Sequence, residues 1–150
     1  MYDFVDRPVA QLGLGGRFLL WAMRGWIQSA STGNCPPGAL APAFAKHGVL
    51  IALPHFHRLM SEMNRRARGT IAFLPLNYCR IGEDEAVLLQ LWRDATDAPP
   101  RAQATLGLMM EPEAVGASFS ALLSAISRLG EAGLGEIAIA AAGVSGNRAR

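Results

Sequence analysis

The chain has 150 residues, 51% hydrophobic and 17% charged, with 14 Lys+Arg against 12 Asp+Glu. That size and balance suit a single globular domain able to bury its own core, and they exclude a disordered segment. A net charge of +2 is low for a module devoted to nucleic acid.

Alanine, leucine, methionine and arginine are frequent while isoleucine, valine, threonine and tyrosine are sparse, which favours helix over strand. The expected fold is all-α, a compact bundle of five to six short helices with one extended connection at about residues 70–81. Residues 1–16 read as an N-terminal arm, 17–133 as one helical domain and 134–150 as a partly flexible tail.

In chain order, LGLGG (12–16) is a glycine-rich entry to RFLLWAMRGWIQSA. The glycines share part of a phosphate-cradling pattern, but no strand-like run precedes them and no Lys-Ser/Thr follows. In the helix that follows, Arg17, Arg24 and Gln28 form a narrow polar stripe, and most of the remaining circumference is apolar, as expected inside a bundle. Trp21 is therefore expected to be buried, as is Trp92 further on. STGNCPPG reads as a loop, followed by a short helix ALAPAFAKH in which Pro42 is tolerable only in the first turn.

The stretch LPHFHRLMSEMNRRARG (53–69) places Phe56, Leu59, Met60, Met63 and Ala67 on one helical stripe, with Pro54 suited to the first position. Glu62 can pair with Arg58, Arg65 and Arg66, and arginines in the last turn suit the negative end of the helix dipole. TIAFLPLNYCRI lacks helical period, and Pro75 prevents a central strand. Gly82 then N-caps EDEAVLLQLWRDAT with Glu85 at N3; its buried face is Leu88, Leu91, Trp92 and Ala95. RAQATLGLMM forms a short helix. Pro112 opens the last one, along which Val115, Phe119, Leu122, Ile126 and Leu129 recur. The final six residues are expected to fray.

The start MYDFVDRPVAQ carries acids where a secretory signal needs a basic and then an apolar region. The longest uncharged run, Gly25 to Ala45, contains STGNCPPG and so cannot supply an apolar span of about 20 residues. The expected setting is cytoplasmic, without membrane insertion, with Cys35 and Cys79 as free thiols.

The order R-F-L-L-W-A-M-R, then P-x-x-x-R-L-M-S-E-M, then a Pro and Cys turn, then R-I-G-E-D-E-A-V-L-L resembles an uncharacterised family of short alphaproteobacterial helical proteins over about residues 17–130. The resemblance implies a helical layout and a cytoplasmic bacterial setting. It implies no activity and no catalytic residues.

Three functional readings follow from the residues. Cys35, His47, His55, His57 and Cys79 could form a metal or redox site for zinc, copper or iron, although the short Cys or His pairs that close a small chelate loop are missing. His55 and His57 are about 200° apart around a helix. A helix-turn-helix outline spans residues 43–68, in which His55, His57, Arg58, Arg65, Arg66 and Arg68 would meet nucleic acid. Two features count for and against it. Residues 1–75 hold eight basic and three acidic side chains, but only one of the fourteen basic residues, Lys46, is lysine, so arginine clusters here reflect composition. The favoured reading is a nonenzymatic protein-interaction or regulatory module, acting on a protein partner or on itself, with no cofactor expected. No nucleophile stands beside a base and no residue is assigned as catalytic. The apolar tail around Ile137 and Ile139 could dock a partner or cover the core.

Overall fold

The computed structural model describes residues 3–139. These residues contain six helices, α1 Leu14–Ser31, α2 Pro36–Lys46, α3 Leu53–Arg66, α4 Glu83–Asp97, α5 Pro99–Met109 and α6 Pro112–Glu131, and no strand, only isolated bridges. The all-α bundle and the extended connection match the sequence pattern.

The most extensive helix pairing is α3 on α6. The stripe Phe56, Leu59, Met60 and Met63 is buried as expected. On α6 the buried residues are mostly small, Ala114, Ser118, Ala121 and Ala125 with Leu122, Ile126 and Leu129, whereas Val115 and Phe119 are only partly buried. Small side chains on one helix let the long ones of the other fill the space between two axes, which is how interiors reach crystal-like density. Trp92 of α4 is fully buried and stacks on Phe56, ring centroids 6.0 Å apart.

Helix α2 begins earlier than its pattern suggests. Pro36 and Pro37 open it, and Pro42 lies inside it rather than in the first turn. A proline at N1 or N2 sacrifices nothing, because those N–H groups have no helical partner. Pro42 leaves only the carbonyl four residues back without its donor, and that residue, Gly38, is exposed to water.

Both ends of the described chain pack into the bundle. Phe4 and Leu12 of the N-terminal arm are buried, as are Leu134 and Ile137. Leu12 bridges Ile139, and the Gly13 N–H donates to the Ala138 carbonyl at 3.0 Å. The tail around Ile137 thus covers the core, and the expectation of a frayed end falls on residues outside those described. The glycines at the entry to α1 serve this crossing: a Cβ on Gly15 would stand 2.5 Å from the Leu134 carbonyl oxygen and 2.8 Å from that of Glu136. Gly15→Ala is expected to displace residues 134–139, seen as faster hydrogen exchange there with a lowered Tm; unchanged exchange would refute the packing role.

The connection from Thr70 to Ile81 is a strap laid over α1 and α4. It is anchored by one buried ion pair. The Arg24 guanidinium meets the Glu85 carboxylate in bidentate fashion, Nε to Oε2 and Nη2 to Oε1, both 2.8 Å. Arg24 also donates to the carbonyls of Tyr78 (2.8 Å) and Arg80 (2.7 Å). Glu85 accepts further from the N–H groups of Leu74 and Gly82, each at 2.9 Å. The last of these is the helix-capping contact expected from its N3 position. Both side chains are almost wholly inaccessible to solvent, so their charges persist only because each is surrounded by partners. Arg24 therefore belongs to the interior rather than to a solvated polar stripe. The arm completes the arrangement: Val9 N–H donates to Cys79 O at 2.7 Å and Ile81 N–H to Arg7 O at 2.9 Å.

Candidate interaction surface

The residues singled out by chemistry in the sequence are dispersed. Cys35 and Cys79 are exposed free thiols. His47 is exposed, its Nδ1 3.0 Å from the Ala43 carbonyl, while His55 and His57 are partly buried at the start of α3. Among the described residues, no three His, Cys, Asp or Glu side chains come together as a metal-binding group. No described helix is long and apolar enough to cross a membrane.

His57 has a specific partner instead. The Trp26 indole N–H donates to its Nδ1 at 2.9 Å, which requires that nitrogen to be unprotonated. Burial lowers the His57 pKa below its ordinary 6.5, because a cation is disfavoured away from water. Between the lowered folded value and 6.5 the unfolded chain binds more protons, so this contribution to stability is complete above pH 6.5 and is lost as pH falls below it. Unfolding free energies measured at pH 8 and pH 5 should differ in that sense. The His57 share of the difference should vanish in His57→Gln, which cannot titrate; an equal pH dependence in both proteins would refute it. Asp3, held below its ordinary 3.8 by the Arg93 guanidinium hydrogen bond, acts only at still lower pH.

The arginines of 53–69 are mostly engaged. Arg65 pairs with Glu62 at 3.1 Å, Arg66 with Glu111 at 3.6 Å, and Arg68 Nε donates to the Met110 carbonyl at 2.9 Å. Between α2 and α3 the chain runs from His47 to Ala52 and includes a 3-10 turn, Leu50–Ala52. A DNA-reading helix-turn-helix uses a tighter turn of three or four residues. With His57 held by Trp26, only His55 and Arg58 of the six flagged residues lack a side-chain hydrogen bond or ion pair among the described residues. Duplex DNA is accordingly expected to bind weakly, at about 10⁻⁴ to 10⁻⁶ M, without sequence preference and with steep salt dependence. A reproducible motif from a random-duplex selection would overturn that expectation.

The distinctive surface lies on α1. Nearly all of this helix is covered, but a stripe comprising Leu14, Arg17, Trp21 and Gln28 faces outward. Leu14 is 58% exposed and Trp21 36%. Trp21 is thus not a core residue, contrary to its apolar character, whereas Trp26 of the same helix is buried. The Trp21 ring rests 6.2 Å from that of Phe18, which turns inward against Phe44 at 4.9 Å and His47 at 5.0 Å. On the other side the strap presents Tyr78, 49% exposed, held there by the Arg24 bond to its carbonyl.

Two grooves flank Trp21. One, of about 360 Å³, runs between α1 and α2 and is walled by Leu14, Arg17, Phe18, Trp21, Ala43 and His47. The other, of about 350 Å³, lies between α1, the arm and the strap, with Val9, Leu76, Tyr78 and Cys79 opposite Trp21. Arg17 and Trp21 border both. Among the described residues, no Asp or Glu borders either groove and Arg17 has no ion pair. Position on the helix was the signal that could have revealed this face. Trp21 lies about 40° from Arg17 and about 20° from Gln28 around the axis, at the edge of the stripe that the polar residues define.

A larger cleft, about 710 Å³, opens where α4, α6 and residues 133–138 meet. Its Arg93 is committed to Asp3 at 2.8 Å and Gln90 at 2.7 Å. Thr96, Asp97, Ser127 and Glu136 also border it but make no hydrogen bonds with one another. A base-activated nucleophile is not assembled there. Compared with protein-family models, curated proteins and solved structures, the chain has no match.

Proposed function

We infer that the chain is a nonenzymatic interaction module of a cytoplasmic bacterial setting, docking a protein partner on the outward face of α1. One observation carries this reading: a tryptophan stands exposed between two grooves on a helix otherwise buried around its circumference. Tryptophan, tyrosine and arginine are the residues that dominate binding energy at protein interfaces, and Trp21, Tyr78 and Arg17 occupy one contiguous surface. The surface is also supported from behind. Phe18 backs Trp21, and the Arg24–Glu85 pair fixes the strap that carries Tyr78, so little side-chain or backbone freedom would be lost on association.

The test compares tagged wild type with Trp21→Ala, both purified from the native cell at matched abundance. A stoichiometric partner retained by the first and lost from the second is the expected result. Equal retention by both would place the interface elsewhere.

A further inference from the structure

We propose that the occupant of this face is a segment of a partner protein in which an apolar or aromatic side chain is flanked by carboxylates. The inference rests on the interaction reading and adds the chemistry of the partner. The groove between α1 and α2 has an apolar floor of Leu14, Phe18, Trp21 and Ala43, suited to one buried anchor. Its rim is cationic. Arg17 stands at the junction of the two grooves without an ion pair among the described residues.

The only other arginine among the described residues that borders either groove, Arg24, is already paired with Glu85 and adds no free charge. With Arg17 unpaired and no acid among the described residues of either wall, the complementary ligand is anionic. The same feature disfavours a second copy of this chain. A two-fold arrangement brings the same patch against itself, so the Arg17 of each molecule would meet a surface on which no described residue is acidic.

The experiment uses the full chain, immobilised, against a displayed library of random 12-residue peptides. Each selected peptide is then titrated against wild type, Trp21→Ala and Arg17→Glu. The expected pool is enriched in Asp and Glu beside Leu, Phe or Trp. Affinity should fall about 30-fold or more in Trp21→Ala, and about tenfold in Arg17→Glu with a lost salt dependence. Peptides that need Trp21 but show no acidic enrichment, and that bind Arg17→Glu as well as wild type, would overturn the acidic partner while leaving the surface in place. Peptides indifferent to Trp21→Ala, or failure to enrich any sequence, would overturn the surface itself. Concentration-dependent dimerisation of wild type, abolished by Trp21→Ala, would replace the acidic partner with a second copy. Circular dichroism of both variants confirms that they are folded, as their exposed positions require.

Discussion

Arg24→Ala is expected to lower the unfolding free energy by about 3 to 5 kcal/mol, the usual cost of removing one member of a buried ion pair. That is a large part of the roughly 5 to 15 kcal/mol by which a domain is stable. The loss arises on both sides of the contact. Glu85 would be left in the interior with only two backbone N–H groups to meet its carboxyl oxygens, and the carbonyls of Tyr78 and Arg80 would lose their donor. The double replacement Arg24→Met with Glu85→Leu should recover part of the loss, since no charge is then left buried, but not all of it, because the Leu74 and Gly82 N–H groups remain unsatisfied. Urea unfolding followed by circular dichroism measures each difference. A loss under about 1 kcal/mol for Arg24→Ala would mean that the pair behaves like one at the surface.

Trp92→Ala should have a comparable effect, about 3 to 5 kcal/mol, as the largest fully buried side chain leaves a cavity beside Phe56. Trp21→Ala should cost less than about 1 kcal/mol, as surface substitutions do. The Trp92 indole N–H has no hydrogen-bond partner among the described residues, so Trp92→Phe removes an unsatisfied donor along with some volume. Its cost should be well below that of alanine. Thermal and urea denaturation of the three variants decide the matter; equal losses at positions 21 and 92 would refute the division of the tryptophans between core and surface.

Helices were legible because their signals are local. Pro112 at the start of α6, Gly82 and Glu85 at the start of α4, and the stripe from Phe56 to Met63 each specify their element within a turn or two. Long-range pairing left no such trace. Nothing near Arg24 shows that a carboxylate 61 residues away encloses it, and an arginine on a helix reads as solvated until its partner is known. Trp92 is buried as its stripe implies, whereas Trp21 is exposed because it lies beside Arg17 and Gln28 on α1, and angular position outweighs residue type there. The histidines and cysteines drew attention as metal ligands, but ligation depends on convergence in space, which spacing along this chain could not reveal. The α1 grooves needed the strap and arm in place before they existed at all, so the surface emerges only from the assembled fold.

The clamp also bears on how the chain folds as it leaves the ribosome. At about 5 to 20 residues per second, the 61 residues from Arg24 to Glu85 take roughly 3 to 12 s to synthesise. Throughout that interval residues 14–31 lack the carboxylate that will enclose Arg24. The arm waits longer still, since Leu12 and Gly13 find their partners only at Ile139 and Ala138. A nascent chain of this design cannot complete the surroundings of its first helix until residues 138 and 139 have been synthesised.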